Sequence, residues 1–182
     1  TANAYGYIGQ DFFFSDNVTQ AFTDNNFTII QGTSTTPDTY GIAYFFCHHA
    51  QSSIVLTNNF FNPLTAGDHR HFMFQESHAI NTDLTFIRNT GVLTKALSAI
   101  SIRLYYAVFV SSHITVQDHN VVARNHGADA VNSFFFAWYG NMTDTTVLID
   151  KCQFESMETT NPRNDAYGIA FSDLVMNDTT VT

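Results

Sequence analysis

The sequence predicts an all-β protein: a single-stranded parallel β-helix of five to six coils, about 30–34 residues per coil, with little or no helix. Three observations carry this expectation. First, Ser53–Asn62 alternates apolar and polar residues and returns in variant form along the chain, with its first position at Ile54, Leu84, Ile114 and Val147. Second, a segment such as Tyr40-Gly41-Ile42-Ala43-Tyr44-Phe45 precedes the first of these and is nearly repeated at Tyr167-Gly168-Ile169-Ala170-Phe171. Third, turn-rich stretches at 32–38, 62–68, 125–129 and 159–165 separate the units, with Gly, Pro, Asn and Asp as punctuation.

Taken in order, the first unit opens at Ala4-Tyr5-Gly6-Tyr7-Ile8, and residues 4–31 fit the pattern least well. Repeats begin near Ala4, Thr39, Arg70, Ile100, Asn132 and Ala166, and residues 1–182 read as one domain. Twelve residues before each template start stand Ile42, Phe72, Ile102 and Phe135, followed two residues later by Tyr44, Phe74, Leu104 and Ala137. Each repeat therefore reads as two segments of period-2 alternation, as strands with one buried face do. The best helix candidate, 93–100, is short. Four strands per repeat, as a propeller needs, are not expected from so short a unit. Coils that rise by one strand spacing make a rod segment roughly 25 Å long.

Stacking accounts for the residue choices. Ile54, Leu84, Ile114 and Val147 form one interior column, and Leu56, Phe86, Val116 and Ile149 a second. A small polar position gives an interior ladder of Asn59, Asn89, His119 and Cys152, with Asn26 below them. Stacked Asn side chains hydrogen-bond along the axis and tolerate a tight bend.

These segments, Tyr-Gly-Ile-Ala-Tyr-Phe followed by Ile-Val-Leu-Thr-Asn-Asn-Phe-Phe, resemble the repeats of the dispersed gene family surface glycoproteins of trypanosomatids. More distantly they resemble pectin-lyase-like β-helix repeats of bacterial and protist surface proteins. The resemblance implies a very long, secreted or membrane-tethered glycoprotein with an adhesive or coat role. It brings no catalytic residues.

Composition excludes several classes. The chain is 45% hydrophobic and 13% charged, too apolar for disorder. No apolar run approaches a membrane span. A net charge of −9 with 7 Lys and Arg leaves no basic patch for nucleic acid. Four sequons, at Asn17, Asn26, Asn141 and Asn177, are glycan acceptors if the chain is secreted. Asn17 and Asn177 occupy one repeat position, four residues before Ala21 and Val181. Asn26 ranks last, because a ladder residue cannot carry a glycan.

No cofactor or metal is expected. His48-His49 could approach His78 across stacked coils, but zinc wants three or four converging ligands. Cys47 and Cys152 lie three coils apart, about 14 Å, too far for a disulfide. Lys and Arg do not cluster at one strand position, and acidic residues concentrate in turns, so a polysaccharide lyase or hydrolase ranks third among functions. Ice binding needs regular Thr arrays, and the middle repeats lack Thr at the positions of Thr146 and Thr180. The leading expectation is a non-enzymatic, extracellular or cell-surface structural glycoprotein, a filament or coat unit whose partner is itself through end-to-end stacking. The sequence stops inside a strand template without a visible cap, which reads as a segment of a longer chain or a fibre protomer. The alternative is an adhesin that binds glycans through Tyr105, Tyr106, Trp138 and Tyr139.

Overall fold

A computed structural model describes residues 4–10, 14–30, 38–64, 69–95, 98–125, 131–158 and 165–182. Most of the turn-rich stretches, including 32–37, 65–68, 126–129 and 159–164, lie outside them. The described chain is all-β and winds as a parallel solenoid. The first coil comprises β1 (Ala4–Gln10), β2 (Phe14–Asp16), β3 (Thr19–Thr23) and β4 (Asn26–Ile30). The second comprises β5 (Thr39–Phe45), β6 (His48–Ala50), β7 (Ser53–Thr57) and β8 (Phe60–Leu64). Each of the first five coils thus holds four strands, not two, and corners of only two residues make room for them. Equivalent strands stack into four parallel sheets, three of six strands and the fourth of five. The helix candidate at 93–100 is strand on both sides of residues 96–97, in keeping with the expectation of little or no helix. Asn62–Leu64, read as turn, closes β8.

Register follows the sequence periodicity. Ala4 pairs with Thr39, Thr39 with His69, His69 with Ala99, Ala99 with Asn132 and Asn132 with Ala166, giving offsets of 35, 30, 30, 33 and 34 residues. The third and fourth repeats therefore start one residue before Arg70 and Ile100, and the first coil exceeds the expected 34. Apart from one residue between β1 and β2, the variation in length falls at one corner, between the fourth strand of a coil and the first strand of the next.

The other three corners are built alike. All sixteen non-glycine residues with positive φ among the described residues are the first residue of such a corner, such as Phe46, Gln51 and Asn58 in the second coil. This left-handed conformation costs a non-glycine residue roughly 1 kcal/mol or more. Hydrogen bonds to the coils on either side offset it. At the third corner Asn58 N donates to Ile87 O (3.0 Å), and Phe60 N donates to Asn25 O (2.9 Å).

The second corner residue points inward and satisfies backbone that no ladder reaches. Asn59 Oδ1 accepts from Asn25 N and Nδ2 (both 3.0 Å), and Asn59 Nδ2 donates to Phe22 O (2.8 Å) and Asn89 Oδ1 (2.9 Å). The ladder of Asn59, Asn89, His119 and Cys152 is therefore present, but its first member is Asn25. Asn26 is exposed, pairs with Phe60, and its Oδ1 accepts from Thr28 Oγ1 (2.8 Å). The first coil is slipped by one residue from the sequence expectation. Val147 and Val181 stack over the column that begins at Gln20, not Ala21, and Asn177 aligns with Asp16 while Asn17 aligns with Asp178. Gln20 hid the register: a polar side chain holds an interior position, where its Oε1 accepts from the Tyr44 hydroxyl (2.6 Å).

Two more inward ladders were not read from the sequence. Cys47 N donates to Ser77 Oγ (3.0 Å) at the first corner, and Thr82 N donates to Ser112 Oγ (3.1 Å) at the second.

The interior columns stand as expected. Ile54, Leu84, Ile114 and Val147 pair in register and are buried, as are Leu56, Phe86 and Val116 beside a half-buried Ile149. β7 alternates buried and half-buried residues. β5 does not: six of its seven residues are buried, because Tyr40, Ala43 and Met73 form a second apolar cluster on the outer face of the first sheet. Period-2 alternation fails there because both faces are covered.

Two facing interior columns exchange bulk. In the first sheet Gly6, Gly41, His71, Ser101 and Phe134 follow one another; in the fourth, Phe27, Phe61, Gly91, Val121 and Phe154 do. A Cβ on Gly6 would lie 2.6 Å from Phe27 Cδ1, and one on Gly41 2.5 Å from Phe61 Cδ1. Phe27 and Phe61 stack at 4.9 Å, and Phe61 stacks on His71 at 5.0 Å. Close packing demands such compensation from coil to coil.

Candidate functional site: an aromatic corner

The first sheet ends in a column Phe45, Gln75, Tyr105, Trp138 and Ser172. Each is followed by a left-handed corner residue: Phe46, Glu76, Tyr106, Tyr139 and Asp173. The left-handed backbone turns these corner side chains outward. Tyr106 is 46% exposed and Tyr139 40% exposed. Exposed rings one coil apart find each other, and the Tyr106 and Tyr139 rings stack at 5.1 Å and 14°. Trp138 stacks on Tyr139 at 4.7 Å, and Tyr105 meets Tyr106 edge-on at 4.5 Å. All four aromatics named from the sequence as a binding surface therefore form one patch.

Polar groups border it. Trp138 Nε1 donates to Asp173 Oδ2 (3.0 Å), which also accepts from Ser172 Oγ (2.9 Å). Glu76 lies one coil to the other side of Tyr106 and accepts from Gln75 Nε2 (3.1 Å). The Arg103 guanidinium lies 4.5 Å from the Tyr105 ring centre. The Tyr106 hydroxyl is pushed up, by desolvation first and then by Tyr105, Tyr139 and Glu76. Below Glu76 the same corner runs into a cleft of about 360 Å³ lined by Tyr5, Asp38, Tyr40, Phe45 and Gln75. There Tyr5 and Tyr40 stack at 5.0 Å, the Tyr40 hydroxyl donates to Asp38 Oδ2 (2.8 Å), and Arg70 Nη1 lies 3.5 Å from the same oxygen. Burial raises the Tyr40 pKa, so the phenol stays neutral.

The histidines fall into distinct settings. His48 and His78 pair in register on the second sheet with ring centres 6.0 Å apart, as stacking allowed. Among the described residues no group of three or more His, Cys, Asp and Glu is arranged to hold a metal ion. His71 Nδ1 and His119 Nε2 both hydrogen-bond Ser101 Oγ, at 3.0 and 3.1 Å. This chain has the residue types of a nucleophile and its base, yet all three are buried in the rod interior. It braces the core instead. Burial lowers the His119 pKa to about 3, and burial with His119 and His69 lowers that of His71, against the Val92 backbone.

Cys47 and Cys152 are free thiols, at different corners. Burial raises the Cys152 pKa. Of the sequons, Asn17, Asn26 and Asn177 are exposed and Asn141 is half-buried, its Oδ1 accepting from Thr143 Oγ1 (3.2 Å). No helix among the described residues is long and apolar enough to cross a membrane. Comparison with protein-family models and with curated proteins finds no match to this chain.

Proposed function

We propose that this chain is a non-enzymatic, extracellular structural rod, a unit of a filament or surface coat that bears N-linked glycans. One observation carries the reading. Equivalent strands of successive coils stack in register through four parallel sheets, so one repeated unit builds a rod along a single axis, as a filament or coat unit needs. Exposed sequons at Asn17, Asn26 and Asn177 support a glycosylated surface. The test is expression of the chain through a eukaryotic secretory pathway, followed by mass spectrometry and electron microscopy. Glycan on at least one sequon and end-to-end rods are expected. Unmodified, discrete monomers at high concentration would overturn the proposal.

A second reading, a glycan-binding adhesin, is favoured by the aromatic corner. Contiguous exposed aromatics are unusual on a soluble surface and mark places of contact.

A further inference from the structure

From the layout of the aromatic corner we infer its ligand: a linear polysaccharide without acidic groups, lying along the rod axis. This rests on the adhesive reading and names its ligand class. Four facts lead there. The corner column repeats once per coil, so it spaces Phe46, Glu76, Tyr106, Tyr139 and Asp173 by about 4.8 Å along the axis. A site built this way is a stripe across several coils, which suits an extended polymer rather than a single small molecule.

Next, the rings are already packed. Tyr106, Tyr139 and Trp138 stack on one another, and the Trp138 indole is fixed by its bond to Asp173. Little side-chain freedom is left to lose on binding. Their exposed edges give apolar contact area to sugar rings, with hydrogen-bond acceptors beside them.

The acceptors are present and negative. Glu76 and Asp173 bracket the Tyr106–Tyr139 pair, while Asp38 in the cleft further along is paired with Arg70. Carboxylates take hydroxyl, amide and ammonium hydrogens and repel carboxylates and sulfates. Finally, the net charge of −9 extends that bias to the whole surface. An acidic polysaccharide is therefore disfavoured twice.

Trp138 is the one tryptophan among eight tyrosines, so fluorescence excited selectively at the indole reports this site alone. The experiment titrates the protein with cellohexaose, N-acetyl-chitohexaose, hexagalacturonate and the monosaccharide of each. Either or both of the uncharged hexamers should give a saturable Trp138 signal. Tyr106→Ala should weaken that binding at least tenfold with an unchanged melting temperature, and Glu76→Gln should weaken it less. Hexagalacturonate should bind at least tenfold more weakly than the better uncharged hexamer. Preference for the acidic hexamer, or monosaccharides binding as well as hexamers, would overturn the ligand class while leaving the adhesive reading standing if Tyr106→Ala abolished that binding. Binding untouched by Tyr106→Ala, or no binding of any sugar, would overturn both.

Discussion

The His71 imidazole fills the space that a side chain at position 91 would need: a Cβ built on Gly91 would lie 2.2 Å from His71 Cε1. In the previous coil the roles are reversed, with Gly41 beneath Phe61. Gly91→Ala should therefore cost about 2–3 kcal/mol by overpacking. The pair His71→Gly with Gly91→Phe copies the Gly41–Phe61 arrangement and should recover most of the loss that Gly91→Phe alone inflicts. Urea unfolding of the two single variants and the pair measures the coupling. Strict additivity would mean that exchange of bulk does not govern this column.

Acid should loosen the middle coils. His119, at about 3, and His71, lowered as well, are held neutral by burial, whereas in the unfolded chain both titrate near 6.5. Folded pKa values below the unfolded ones mean that the unfolded state binds more protons in this window. Their contribution to stability is thus whole above about pH 6.5 and declines as pH falls toward 3. His119→Asn, which continues the Asn59–Asn89 ladder, should flatten that decline when melting temperature is followed against pH. An unchanged slope would place the acid sensitivity elsewhere.

The Asn59 side chain makes four hydrogen bonds at one corner, two accepted from Asn25 and two donated to Phe22 and Asn89. Asn59→Ala leaves buried backbone and amide groups unpaired and should destabilise the rod by about 2–4 kcal/mol. Chemical denaturation gives the number. Hydrogen exchange should show Asn25 N among the amides that lose protection.

Corner backbone makes a separate prediction. Arg88 has φ 52° and an exposed side chain. Arg88→Asn, which tolerates that conformation, should leave stability unchanged or raise it by about 0.5 kcal/mol. Arg88→Val should lower it by about 1–2 kcal/mol, because a β-branched residue is strained there. Melting curves of the two variants decide, and equal effects would mean that the left-handed corner carries no strain.

Much of this was legible in the chain. The Ile54, Leu84, Ile114 and Val147 column was read directly, because one apolar residue recurs wherever the same point of the coil returns to the interior. The four aromatics of the corner were named, but not the carboxylates that bracket them. Glu76 and Asp173 share a position with Tyr106 and Tyr139 only once the coil register is known. The register of the first coil is ambiguous in the sequence, since Gln20 interrupts the apolar column and Asn25 and Asn26 both fit the polar ladder position.

Periodicity alone determined that the backbone returns to the same place every thirty-odd residues, since like side chains at like intervals need a common environment. The sequence also settled which residues face inward on the third sheet from the second coil onward, where alternation is clean. Only the tertiary structure decided that each of the first five coils holds four strands, that sixteen corners turn through left-handed backbone, and that Gly91 lies beneath His71. Those features depend on what the neighbouring coils supply. A corner residue's partner lies a full coil away in the chain, and the space above a glycine is filled from another sheet.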